Sequence, residues 1–423
     1  MRNPMSVMRK CVLAATLLAV ILLVGACDAS SGSTTASGNI LPGRALTWKT
    51  LALPSSMMAN DPQESFSVSP MDGRIAYACG TPTSDQSGSS NNSSAPMYSV
   101  WATDTTGAAW SQRSSLPALS VTGGYCSLNV ASVDGQSVVA VVQSSDLSQT
   151  NSYLSTTGGR TWSAFDPQTF INTPIITPKI AYAVLSNPHG VCGASAIPDG
   201  VGNAFPRLCS SVDGLKTWQP IDATLIAAKN YPEVLHYNPT NGSLLVQTDT
   251  DAIYTSTDGG KTWLAASTPG LKGIVVSPDN TQWRLCGLSF SSSGSDVVNT
   301  LQCSDDGGQS WSVLPALDIQ TNCAPCSNNF TGMSIQQMYL ESVLPDGTVM
   351  GVAKTSEDAP SSVDIAENHA NFSLYRLTPK GTQWQSLGPL PFHDDVYPVV
   401  NFTATGQLWH PSLNQAAVAT YTT

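Results

Sequence analysis

Residues 256–263 read STDGGKTW and residues 304–311 read SDDGGQSW, so Ser, Asp, Gly and Trp recur at identical offsets. Weaker copies stand elsewhere in the chain. SVDGLKTW keeps Ser211, Asp213 and Trp218 but has Leu215 where the second glycine belongs, and STTGGRTW keeps Ser155, Gly159 and Trp162 with Thr157 in place of Asp. TDTTGAAW ends at Trp110, LTPKGTQW ends at Trp384, and an isolated TWKTLALP surrounds Trp48. Seven Trp-led segments therefore begin at 48, 110, 162, 218, 263, 311 and 384. A spacing of some 45 to 75 residues is that of a repeated sheet unit carrying insertions of variable length.

Turn chemistry accounts for the residue types without a ligand. A tight turn between antiparallel strands leaves backbone N–H groups pointing inward, and an Asp or Ser side chain can accept from them. Gly supplies positive φ cheaply, and Trp then opens a strand and buries about 200 Å² of aromatic surface. On this reading Ser155, Ser211, Ser256, Ser304, Asp213, Asp258, Asp306, Gly159, Gly260 and Gly308 hold turns, and Asp258 and Asp306 are staples rather than catalytic acids.

The text between the turns is equally regular. SFSVSPMDGRIAYAC, VLHYNPTNGSLLVQ and ESVLPDGTVMGVA are three of seven hairpin-like stretches, with Pro, Asp, Asn and Gly between Val- and Leu-rich flanks. No segment keeps a helical period, so the chain is expected to be all-β. Seven inner hairpins and seven Trp strands predict seven four-stranded blades. The last three strands, near 396–402, 406–411 and 414–422, lack a Trp strand of their own, and the Trp48 strand closes that blade. Six blades, with the C-terminal segment as an appendage, is the alternative. Closure into a ring removes exposed sheet edges.

These turns resemble the Asp-box, or BNR, repeat S-x-D-x-G-x-[TS]-W of sialidases, sortilin-type receptors and photosystem II assembly factors. The resemblance implies a seven-bladed β-propeller over residues 43–423, with two complete and five degenerate copies.

The amino end carries a different signal. Arg2, Arg9 and Lys10 precede an apolar run from Cys11 to Val24, the layout of a secretory signal peptide over 1–26. Val24-Gly25-Ala26-Cys27 resembles a bacterial lipobox, which implies lipidation of Cys27 and anchoring of an extracytoplasmic chain to the cell membrane. An ordinary secretory signal with an incidental cysteine is the alternative. Residues 27–42 have little to bury and are expected to form a flexible Ser/Thr/Gly tether. A formal charge of −11, with 11% charged residues, argues against nucleic acid as a partner.

In such a propeller, box turns and inner-hairpin turns share one face. The long stretches 79–97, 187–205, 290–299, 318–333 and 354–370 all belong to the other face, where elaborated loops usually carry binding. Eight cysteines remain for an exported protein, and eight allow about 105 pairings. Cys286 and Cys303 lie on adjacent strands, Cys192 and Cys209 in related segments of one blade, and Cys79 and Cys126 at loop-face strand ends of consecutive blades. Cys323-Ala-Pro-Cys326 reads as a local disulfide, since it lacks the following helix or second ligand pair of a redox or metal motif.

The sialidase likeness can be tested on residue types. Those enzymes grip a carboxylate with three inner-strand arginines, a task suited to the guanidinium fork, and carry an F/Y-R-I/L-P motif. Phe205-Pro206-Arg207-Leu208 has the order scrambled, and no arginine falls on an expected inner strand. The loop-face ends of the inner strands instead offer Glu64, Tyr231, Glu233, Tyr339, Glu341, Asp394, Asp395 and Tyr397. Aromatic and acidic groups there suit a binding rim for a protein or glycan. Should the chain be an exo-acting glycoside hydrolase, Glu233 and Glu341 with Tyr231 and Tyr339 are its candidate carboxylates and partners. No cofactor or metal is called for. A third reading, an assembly factor like those of photosystem II, shares the blade count but lacks an arginine-rich patch.

Overall fold

The computed structural model describes residues 40–54, 57–58, 65–82, 98–116, 125–144, 149–165, 173–185, 192, 206–267, 270–277, 283–293, 296–315, 338–344, 346–357, 370–391, 400–412 and 415–421. Their strands assemble into seven sheets, and the chain is a seven-bladed β-propeller. Blade one comprises Phe66–Val68, Ala76–Pro82, Tyr98–Thr103 and Ser111–Leu116, with Met57–Met58 paired further along its second strand. Blades two to six follow at 125–165, 175–220, 232–265, 271–314 and 338–389.

Blade seven takes Asn401–Phe402, Gln407–Ser412 and Gln415–Thr420 from the carboxyl end. Lys49–Ala52 from the amino end completes it, antiparallel, with Leu51 opposite Ala416. The six-bladed alternative is thereby set aside.

The core lies between blades rather than at one centre. Tyr77, Tyr98 and Val100 of blade one interleave with Leu128, Val138 and Val142 of blade two, and comparable layers recur around the ring. Alternating apolar residues send one set to each neighbouring sheet, which is why the strands read as nearly continuous hydrophobic runs.

Four features depart from the sequence reading, the first being that 354–357, expected within a long loop, is strand paired as far as Glu357 opposite Ala370. Residues 290–299, expected as a long loop, belong to a hairpin: Leu285–Ser293 and Asp296–Ser304 pair without a break down to Ser293 opposite Asp296. Serines and β-branched residues there continue a strand as readily as they form a loop. A short helix, Ala223–Ala227, joins blades three and four and is too brief to show periodicity. Ile40–Pro42, expected inside the tether, pairs in parallel with the outer edge of blade six, Ile40 opposite Trp384.

Candidate functional site

At one end of the ring lie the short turns. In blade five, Ser304 Oγ donates to Asp306 Oδ1 at 2.7 Å and accepts the Gly308 N–H at 2.8 Å. Asp306 Oδ1 accepts the Ser310 N–H at 2.9 Å, and Oδ2 accepts the Ser310 hydroxyl at 2.6 Å. Blade four repeats this with Ser256, Asp258, Gly260 and Thr262, and blade three with Ser211, Asp213 and Thr217. The hydroxyl of Thr217, Thr262 or Ser310, and then the backbone N–H beside it, holds each carboxyl down to about 2. These carboxylates bind their own turns and have no proton to exchange near neutral pH.

Four of the Trp side chains that follow reach backwards around the ring. Trp162 Nε1 donates to Ser114 Oγ, Trp263 to the Ile221 carbonyl and Trp384 to the Pro315 carbonyl, all at 2.7 to 2.8 Å. Trp311 does likewise to the Ser267 carbonyl. In every case the acceptor lies on or just after the outer strand of the preceding blade. Buried Trp218, at 5% exposure, packs within blade three.

The opposite end presents the starts of the inner strands. The pairing of Pro232–Tyr237 with its neighbour slips at Glu233, and that of Met338–Val343 slips at Glu341. Each glutamate is therefore the extra residue of a β-bulge, a device that re-aims a side chain. Burial lifts the Glu341 carboxyl to about 8, so it keeps its proton at neutral pH. Burial also pushes His236, three residues beyond Glu233, down to about 4 and leaves it neutral. Sequence reading missed His236, because a histidine in an apolar strand carries no pattern of its own.

Blade four shows how this end is held. Its second and third strands meet in a tight turn where Thr248 N–H bonds the Ala252 carbonyl at 2.9 Å. The Asp249 carboxylate accepts the Tyr231 N–H at 3.0 Å, and Asp249 N–H returns to the Tyr231 carbonyl at 3.0 Å. Thr250 donates to Asn230, whose amide donates to Tyr254. Tyr231 and Glu233 thus stand beside a braced turn, two blades from Glu341. Tyr339 lies on the inner strand of blade six. Glu64, Asp394, Asp395, Tyr397, Cys323, Cys326 and Cys27 lie outside the described residues.

Three disulfides form among the described residues. Cys79–Cys126 ties blade one to blade two with Cα atoms 6.2 Å apart, Cys192–Cys209 sits within blade three, and Cys286–Cys303 joins directly opposed residues of blade five. Arg207, from the scrambled motif, forks onto fully buried Asp222 with two contacts of 2.8 Å, and the Leu208 N–H adds a third at 2.8 Å. Its role is structural: it neutralises a buried carboxylate. Arg44, Arg74, Arg113, Arg160, Arg284 and Arg376 likewise lie off the inner strands. Among the described residues no three His, Cys, Asp or Glu side chains gather as a metal site.

No protein-family model matches the chain, and no curated protein matches it. Solved structures do resemble it. YCF48 bound to a D1 peptide shares 15% identity at a TM-score of 0.49, over 92% of this chain and 100% of that one. An oligogalacturonate lyase from Vibrio parahaemolyticus shares 12% at 0.48, over 91% and 98%. A GH74 xyloglucanase from Xanthomonas campestris shares 11% at 0.44, over 87% of this chain and 52% of that one. At these values the likenesses assign the chain to no family.

A second group escaped sequence reading. Tyr77, Arg113, Gln136 and Arg160 line a cleft at the turn end between blades one and two. Their meeting depends on the packing of neighbouring sheets, which no local pattern announces.

Proposed function

We propose that this chain is an extracytoplasmic binding or scaffold module, an Asp-box propeller held at the cell membrane through a lipid on Cys27. In this reading its loop-bearing end engages a protein or glycan. One asymmetry between the two ends carries it. At the turn end the connections are short, and the Asp side chains of blades three to five satisfy their own turns. At the other end Pro82 connects to Tyr98, Leu185 to Arg207, Leu314 to Met338 and Glu357 to Ala370, and nine-residue strands of blades five and six project among them. Glu64, Tyr231, Glu233, Tyr339, Glu341, Asp394, Asp395 and Tyr397 are the rim residues of this proposal.

Replacing 83–97, 193–205 or 358–369 by short Gly-Ser linkers, which leaves the Cys192–Cys209 bridge in place, tests the assignment. Binding to an array of glycans and peptides should fall while the thermal midpoint holds; unchanged binding in all three variants removes the loop end from consideration. For anchoring, Cys27→Ser should release the chain from the membrane fraction, and retention would overturn the lipoprotein reading.

A hydrolytic alternative rests on Glu341, since a carboxylic acid still protonated near pH 7 is equipped to protonate a glycosidic oxygen. Turnover of a fluorogenic glycoside that is abolished by Glu341→Gln would favour it over a pure binding role.

A further inference from the structure

The cleft between blades one and two has a volume of about 80 Å³, and Ile75, Tyr77, Asp104, Arg113, Gln136 and Arg160 are among the residues that line it. Arg113 comes from the outer strand of blade one and Arg160 from the turn of blade two, so two guanidinium groups from different sheets face one space. Both act electrostatically on the same phenol, that of Tyr77. The surroundings bring them close: a β-carbon added at Gly158 would lie 2.8 Å from Gln136 Oε1, 3.2 Å from Tyr77 Oη and 3.6 Å from Arg160 Nη1. One added at Gly159 would lie 3.6 Å from Arg113 Cβ.

Neither cation is engaged in an ion pair among the described residues, although the Asp104 carboxylate lines the same cleft. Arg74, by contrast, pairs with Asp72, Arg207 with Asp222 and Arg284 with Asp305. Arg113 Nε is buried without a hydrogen-bond partner, whereas Arg160 Nη1 reaches only the Thr157 carbonyl at 3.0 Å. The phenol of Tyr77 donates to the Gly135 carbonyl at 2.7 Å, which fixes the back wall and leaves no acidic proton there. Two like charges converging on a small polar space, one with an orphaned donor, repel each other unless an anion sits between them.

We infer that this cleft is an anion site that takes one small oxyanion group, a carboxylate, sulfate or phosphate, gripped between the Arg113 and Arg160 guanidinium groups. A space of this size exceeds what a single water needs and can admit a small acidic group. The site lies at the turn end, away from the proposed ligand rim, so it is independent of that reading.

Calorimetric titration of the full chain with acetate, sodium sulfate and inorganic phosphate, with ionic strength balanced by chloride, tests it. A saturable one-site isotherm with at least one of the three is expected, weakened at least tenfold in Arg160→Gln and in Arg113→Gln. Exposed Arg74→Gln, which removes a nearby but already paired cation, should leave it unchanged. Preference for acetate points to a carboxylate-bearing ligand, and preference for sulfate or phosphate to a tetrahedral one. If Arg113→Gln does not fold, Arg160→Gln decides alone, because that side chain is on an exposed turn. Absence of saturation with all three anions, or equal affinity in Arg160→Gln and the parent, overturns the inference.

Discussion

The turns of blade five and blade one have the same shape and different chemistry. In blade five Asp306 accepts from two backbone N–H groups and two hydroxyls. In blade one Thr105 stands in that place, and its single hydroxyl accepts the Ala109 N–H at 3.0 Å while Thr103 accepts from Gly107 at 3.1 Å. Blade two does the same with Thr157, which accepts the Thr161 N–H at 2.9 Å. The essential element is one acceptor aimed at the N–H four residues on, and a carboxylate adds a second oxygen to a turn that already closes. This is why the motif can lose its aspartate and keep its blade.

Substitutions at the turn glycines should separate the blades most. Gly308 has φ +88, and a β-carbon there would lie 2.5 Å from the Ala266 Cβ, which cannot rotate away. Gly308→Ala should cost about 3 kcal/mol from strain and overpacking together. Gly107, at φ +73, would meet the flexible Leu51 Cδ1 at 2.5 Å, so Gly107→Ala should cost about 2 kcal/mol. Gly214, at φ +76 with nothing within 4 Å, should cost about 1 kcal/mol. Urea midpoints of the three variants must fall in that order; equal losses would mean that φ alone governs these turns.

Exchanging acceptors probes the same contrast at smaller scale. Asp306→Ala should lower the thermal midpoint, and Asp306→Thr should restore most of the loss by importing the chemistry of blade one. If Thr is no better than Ala, the hydroxyl-based turns owe their shape to something else.

The smallest effect is in pH. Asp213, Asp258 and Asp306 have folded-state values of about 2 against an ordinary 3.8. A depressed carboxyl stabilises the fold above its unfolded value, and that contribution is lost as pH falls from near 4 through about 2. Parent and triple Asp→Thr chains should therefore converge in stability as the pH is lowered through this window. Parallel stability curves across it would show that the three carboxylates contribute nothing.

Blade number and closure were legible because Trp and turn residues repeat along the sequence, and Trp48 had no blade of its own. Cys286–Cys303 followed from strand adjacency, whereas the Cys79–Cys126 and Cys192–Cys209 pairs were only candidates until the blades were placed. What stayed hidden arises between strands or sheets. The bulges at Glu233 and Glu341 are slips of one strand against another, visible only in register. The Arg113–Arg160 cleft needs two blades side by side. Ile40 and Leu41 looked too few to order a strand, yet the open outer edge of blade six supplies the partner that they lack.

The backward reach of Trp162, Trp263, Trp311 and Trp384 gives the ring a direction. Blade one is latched by Trp162 of blade two, blade three by Trp263 of blade four, blade four by Trp311 of blade five and blade five by Trp384 of blade six, so these four sheets are finished by their successors. Trp409 of blade seven then bonds the Gly73 carbonyl of blade one at 2.9 Å, and Lys49–Ala52 waits throughout for Gln415–Thr420. A chain made from its amino end can therefore set its blades in turn but cannot lock the first until the last is made. Loss of a few terminal residues would then reopen the circle rather than shorten it.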